Sequence, residues 1–121
     1  MKKRILIIED NQQNRVLEKF LLEAAGFEVR EAFCASSGMN IAREEKPDAI
    51  IMDVRLSDIC GIEAARLLRE NESLRDVPII FVTASVIKDS TEKMMSISNS
   101  ACISKPINTR TFAQEISRYV K

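Results

Sequence analysis

A parallel α/β sheet is the fold class this sequence predicts, and three observations predict it. Short apolar runs alternate with segments of helical periodicity, which is the βαβ pattern. Each run is followed at once by a residue that can do chemistry. Ile5-Leu6-Ile7-Ile8 precedes Glu9-Asp10, Ala49-Ile50-Ile51-Met52 precedes Asp53, Ile79-Ile80-Phe81-Val82 precedes Thr83, and Cys102-Ile103-Ser104 precedes Lys105-Pro106. In parallel sheets the ligand crevice lies outside the carboxyl ends of the strands, so four distant points of the chain would converge there. Finally, 121 residues is the usual size of one domain, enough for a single core and too little for two.

The elements follow in order. After the first strand, the spacing predicts a helix over 12–25, with Val16, Leu17, Phe20, Leu21 and Ala24 on one face and Gly26 as its stop. Residues 28–32 form a short second strand. Ser36 or Ser37 can cap a second helix that ends before Pro47, and Asp48 opens the central strand. A third helix runs over about 62–71. Pro78 precedes the most apolar strand. Asp89 with Glu92 three later resembles a capping box and starts a further helix. Its anchors Met94, Met95 and Ile97 are few, and Ser96, Ser98, Asn99 and Ser100 are weak helix formers, so that helix is expected to be short or mobile. Thr109 begins the last helix, whose Phe112, Ile116 and Tyr119-Val120 recur at helical spacing toward the sheet. No internal repeat, linker or low-complexity tract interrupts the pattern.

Composition narrows the function. Lys+Arg 18 balances Asp+Glu 18, which argues against an electrostatic nucleic-acid binder. No apolar stretch approaches the roughly 20 residues of a membrane span, and Met1-Lys2-Lys3-Arg4 leads into no signal-peptide core, so a cytoplasmic protein is expected. Cys34, Cys60 and Cys102 are odd in number and widely spaced, and there is no histidine, so neither a disulfide framework nor a zinc site is indicated. Reduced, mostly buried thiols are expected instead. Without histidine the chain cannot be a phosphohistidine carrier or use an imidazole base.

Phosphoryl transfer to a carboxylate needs an oxygen nucleophile, a divalent cation to neutralise the phosphoryl oxygens and donors for the remaining charge. Asp53, at the tip of the central strand, suits the nucleophile. Glu9 and Asp10, with Asp53, offer the oxygen ligands that Mg²⁺ prefers. The Thr83 hydroxyl and the Lys105 ammonium can each meet a phosphoryl oxygen. Any one of these residues alone would be an ordinary surface or strand residue; the set is what is specific.

Residues 5–11 (ILIIEDN), 47–53 (PDAIIMD), 61–68 (GIEAARLL), 77–84 (VPIIFVTA) and 104–107 (SKPI) together resemble a response-regulator receiver domain of bacterial two-component signalling, of the stand-alone, chemotaxis-regulator-like type. The likeness extends over essentially the whole chain. It implies a flavodoxin-like, doubly wound, five-stranded parallel sheet of order 2-1-3-4-5 with five helices, one receiver domain over residues 1–121. It further implies phosphorylation of Asp53 by a partner histidine kinase or histidine phosphotransfer protein, with Mg²⁺ held by Glu9, Asp10, Asp53 and the Arg55 backbone carbonyl. A protein output partner, a monomeric unphosphorylated state, no direct nucleic-acid or membrane contact and at most slow self-dephosphorylation belong to the same expectation. So does a cis peptide between Lys105 and Pro106, which would turn Lys105 toward the site.

Some positions depart from the family pattern. Ser57 stands where proline is usual, and Cys102 where an aromatic residue or histidine commonly reports phosphorylation. Residues 97–100 replace an Ala-Gly turn, with Asn99 suited to a left-handed cap. Cys102 has no ring to swing, so switching is expected to use the helix after Thr83 instead, with partners reading the face of that helix, the Cys102 strand and the last helix. Asp58 reads as a loop residue and Met94-Met95 as core filling rather than an adaptable surface. Arg55 is either a solvated loop charge or a residue reaching over the phosphoryl group. Two other readings have sequence features against them: a phosphatase with an aspartyl-phosphate intermediate, which typically carries an aspartate where Arg55 stands, and a pseudo-receiver that binds without phosphorylation, against which the intact acidic set argues. A flavin or dinucleotide enzyme is excluded by the acidic, glycine-free loop Glu9-Asp10-Asn11-Gln12.

Overall fold

Five short strands carry almost all of the apolar runs. The computed structural model describes residues 2–83 and 96–120. In chain order they form β1 (Arg4–Ile8), α1 (Gln12–Ala24), β2 (Glu28–Ala32), α2 (Ala35–Glu45), β3 (Ala49–Asp53), α3 (Gly61–Arg69), a 3-10 turn (Glu72–Leu74), β4 (Ile79–Thr83), β5 (Ser100–Ser104) and α4 (Phe112–Ser117). All strand pairs are parallel, and the sheet order is β2-β1-β3-β4-β5. This is the doubly wound, flavodoxin-like arrangement that the sequence predicts, with β3 in the middle.

Strand periodicity divides the core in two. Leu6, Ile8, Ile50, Met52, Ile79 and Phe81 point to one face and pack with Ala64, Ala65 and Leu68 of α3 and Ala42 of α2. Ile5, Ile7, Ile51, Ile80 and Val82 point to the other, against Leu22 of α1 and Phe112 and Ile116 of α4. Every residue of β3 and β4 is buried, as expected for central strands covered on both faces. Each fully buried side chain of this size contributes about 1.5–3 kcal/mol, so the strand tips rest on the most stable part of the molecule.

Helix ends follow local chemistry. Asn11 caps α1, its Oδ1 accepting from the Asn14 N–H at 3.0 Å. Gly26, at φ 97°, closes it as predicted, with the Phe27 N–H reaching the Leu22 carbonyl at 3.1 Å. Neither Ser36 nor Ser37 caps α2. The N-cap is Cys34, without a side-chain cap bond, and Asp58 accepts the Ala35 and Ser36 N–H groups from a distant loop instead. The last helix begins at Phe112 rather than Thr109, because Asn108 ties up the intervening turn: its Oδ1 accepts from the Arg110 N–H and its carbonyl from those of Thr111 and Phe112. Of that helix's predicted inward face, Tyr119 is exposed.

The apolar face read for α1 is not the one turned inward, apart from Leu21, which packs on the core. Val16, Leu17 and Phe20 are solvent-exposed, Phe20 at 68%, while Arg15, Glu18 and Leu22 point inward. The Arg15 side chain explains the rotation. Its Nη1 donates to the Glu9 carbonyl at 3.0 Å, its Nε lies 3.6 Å from Glu31 Oε1, and its guanidinium stacks 4.0 Å from the Phe33 ring centroid.

The expectation of mostly buried thiols also fails. Cys60 and Cys102 are exposed and Cys34 half-buried, because the first and last stand at helix N-caps and Cys102 on the outer face of edge strand β5; all three are free. The helix predicted from Asp89, with Met94 and Met95, lies outside the described residues, so four α-helices are described. Beyond it, Ile97 enters the core and Asn99 adopts the left-handed conformation, φ 55°. Arg69 fastens this turn by donating to the carbonyls of Leu74, Ser98 and Asn99 at 2.7, 2.9 and 3.0 Å. Among the described residues no helix is long and apolar enough to cross a membrane.

Candidate functional site

Because the strands are parallel and in register, their carboxyl ends share one rim. Ile8 pairs with Met52, Asp53 with Val82 and Thr83 with Ser104. The residues that follow β1 and β5, and those that end β3 and β4, therefore meet at one crevice. All five residues predicted from the strand ends come together here, except that nothing places the Arg55 carbonyl among them.

Glu9 and Asp53 are buried while Asp10 is exposed, and carboxylate oxygens of the three lie within 4.8 Å of one another. Three negative groups so close repel each other strongly, all the more in a partly dry setting. Burial raises the Glu9 carboxyl above its ordinary range, Asp53 beside it pushes the same way, and Lys105 opposes both. The Lys105 ammonium sits across two of the three groups, 3.3 Å from Glu9 Oε2 and 3.5 Å from Asp53 Oδ2. A single positive charge is thus already held where charge relief is needed.

The donor set fits a small divalent cation. It offers only carboxylate oxygens, one of them solvent-facing, which suits an ion that keeps water and takes one or two carboxylates. The Lys105 ammonium shows that the crevice accepts positive charge.

Backbone placement fixes Asp53. Its Oδ1 accepts from the Arg55 N–H at 3.2 Å, and the loop 54–60 turns back so that the Gly61 N–H reaches the Val54 carbonyl at 2.8 Å. A Cβ at Gly61 would run into the Asp53 carbonyl oxygen, so only glycine lets α3 begin this close to Asp53. Thr83 is buried at the end of β4, and its carbonyl accepts from the Lys105 N–H at 2.7 Å. The Lys105–Pro106 bond is cis, as the resemblance implies. The Arg55 side chain is exposed at the rim.

Two further residues bear on the site that sequence reasoning missed. Asn14 approaches Glu9 Oε1 at 3.5 Å, and the Asn11 N–H donates to the same oxygen at 3.3 Å. Glu18, one turn beyond Asn14, is buried; the burial, with Glu9 next, raises its carboxyl to about 8, so it is protonated at neutral pH. Spacing was the available signal: residues 14, 15 and 18 share one helix face with Leu22, and a helix that begins at Gln12 could have been read on that phase.

Comparison with known proteins agrees with this geometry. Residues 5–117 match the response regulator receiver domain family. Over 120 residues, 99% of this chain and 98% of the relative, the chain is 37% identical to the polar-differentiation response regulator DivK of Brucella ovis. The Brucella anthropi protein of the same name is 36% identical over 99% of this chain and 98% of its own. Among solved structures, the Vibrio cholerae chemotaxis protein CheY4 superposes with a TM-score of 0.93 at 22% identity, covering 99% of this chain and 100% of that one. A CheY-like receiver domain from Methanospirillum hungatei gives 0.91 at 26% identity, over 98% and 93%.

Proposed function

The chain belongs to the response regulator receiver domain family, and from that premise we propose that Asp53 accepts a phosphoryl group from a partner phosphohistidine in a magnesium-dependent reaction. The donor is a histidine kinase or histidine phosphotransfer protein, and the phosphorylated chain alters its binding to an output protein. The whole of residues 1–121 acts as this one module, in the cytoplasm.

The observation that carries the reading is the convergence of three carboxylates, a buried threonine and a half-buried lysine on one strand rim. In the transfer, an Asp53 carboxylate oxygen bonds to phosphorus while the phosphorus–nitrogen bond of the donor breaks, and the imidazole leaves with its electron pair. Glu9, Asp10, Asp53 and the Arg55 carbonyl would hold Mg²⁺, which when bound neutralises charge on the phosphoryl oxygens. Lys105 supplies a point charge to one phosphoryl oxygen, exchanging its present carboxylate partners for it. Thr83 donates its hydroxyl to another.

A donor must cover the crevice rim to reach Asp53, and α1 starts two residues after Asp10. The exposed strip Val16, Leu17 and Phe20 is the apolar part of that rim and is the surface on which the donor sits. Output passes through the face that includes β5, where Cys102 is exposed, and α4. The test is incubation with a small phosphodonor, with and without EDTA, for wild type and Asp53→Asn. Labelling of Asp53 only, and only with metal, is the expected result; wild-type labelling by Asp53→Asn refutes the assignment.

A further inference from the structure

Lys105 now occupies oxygens that a divalent cation at Glu9, Asp10 and Asp53 would need. A doubly charged ion about 4 Å from an ammonium repels it strongly even at the effective dielectric of a protein surface. On metal binding Lys105 must therefore step back, before any phosphoryl oxygen is there to receive it.

The space beside it is a cleft of about 420 Å³ lined by Asn14, Leu17, Glu18, Lys105, Pro106 and Ile107. The side chains of Leu17, Pro106 and Ile107 offer the ammonium no acceptor, and the Asn14 amide is turned to Glu9, its nitrogen 3.5 Å from Glu9 Oε1. Glu18 is the one carboxyl among these described residues, is 1% exposed, and its Oε1 has no hydrogen-bond partner among the described residues. A buried acceptor left unpaired is costly, and that cost falls away once a donor reaches it.

We propose that Glu18 is a positioning residue for Lys105, a second seat in the cleft wall that receives the ammonium when the metal takes Glu9. The proposal rests on the metal site of the function proposed above. Lys105 then moves between three partners in sequence: Glu9 with Asp53 in the metal-free chain, Glu18 with metal bound, and the phosphoryl group once Asp53 is modified. The carbonyl oxygen of a protonated Glu18 can accept from an ammonium as a carboxylate can, so the seat works with the group neutral.

The experiment compares Glu18→Met, which removes the acceptor but fills the volume, with Glu18→Gln, which keeps a neutral acceptor. Mg²⁺ affinity is read from the amide resonances of Asp10 and Asp53, and the Lys105 ammonium from its nitrogen resonance after selective lysine labelling. Glu18→Met should bind Mg²⁺ about fivefold more weakly, the size of one net hydrogen bond, and Glu18→Gln within about twofold of wild type. The Lys105 ammonium resonance should move on Mg²⁺ addition in wild type and Glu18→Gln, and broaden or take its free-lysine position in Glu18→Met. Glu18→Leu serves as a second apolar variant should Met fold poorly. Wild-type affinity in the apolar variants, or equal weakening in Gln and Met, overturns the seat and leaves the metal site standing. Failure of wild type to bind Mg²⁺ overturns the metal site and the seat with it.

Discussion

The carboxylate of Asp58 accepts the backbone N–H of Ala35 at 2.9 Å across a sequence separation of 23 residues. The loop that leaves Asp53 is thereby fastened to the first turn of α2, since the other oxygen accepts from Ser36 at the same distance. These backbone donors lower the Asp58 carboxyl to about 2. Its folded value lies below its unfolded one, so the stability it gives is present above the ordinary aspartate range and is lost as pH falls toward 2. Asp58→Ala should speed amide exchange at Ala35 and Ser36 while leaving α3 protected; unchanged exchange at both would show that the cap does not hold the loop.

Asp53→Asn should take up no phosphoryl group, and removal of metal should abolish uptake by wild type, because uncompensated carboxylates repel an incoming phosphoryl anion. The chain has no tryptophan, so mass spectrometry or NMR gives the readout.

Arg55 stands at the rim with its side chain exposed and its N–H on Asp53 Oδ1. Pairing with the phosphoryl group, or obstructing the line of water attack, should make Arg55→Ala lose phosphate about fivefold faster, as roughly 1 kcal/mol of barrier implies. The measurement is the dephosphorylation rate at fixed Mg²⁺. Equal rates assign the side chain to solvent.

Glu18 gives a pH dependence of known sign. Unfolded, it loses its proton near 4.5; folded, it keeps it to about 8, so between these values the folded chain binds more protons. Its contribution is full below 4.5 and is lost as pH rises through 8, at up to about 1.4 kcal/mol per pH unit. Urea midpoints of wild type should fall from pH 5 to 8, and Glu18→Gln should flatten that slope, leaving the part contributed by the raised Glu9 carboxyl. Parallel slopes would mean that burial does not hold the proton.

Phe20→Ser should slow phosphoryl transfer from a protein donor about tenfold, the loss expected for an aromatic contact worth 1–2 kcal/mol, and should leave the rate with a small phosphodonor unchanged. Slowing with both donors would point to damage at the site rather than at the docking strip.

The strands and the crevice were legible in the sequence because both depend on short-range pattern: a four-residue apolar run buries itself wherever it pairs, and the residue after it falls on the rim. The phase of α1 was not legible. Val16, Leu17 and Phe20 satisfy helical spacing as well as any core stripe, and only the long-range bonds of Arg15 to the Glu9 carbonyl and Glu31 decide which face turns inward. The cap of α2 was hidden for the same reason, as its acceptor, Asp58, comes from a different loop. Asn99 was legible because its left-handed conformation is a property of one residue.

Asp53 ends the middle strand of five, with buried strands on either side. Mechanically, this is a stiff footing: shifting β3 would break hydrogen bonds to β1 and β4 together. A charge added at its tip would therefore do little work on the sheet, and any displacement would fall to the side chains around the rim. The design resembles a key on a rigid keybed, where the frame stays still so that a small stroke at the tip is passed on undiminished.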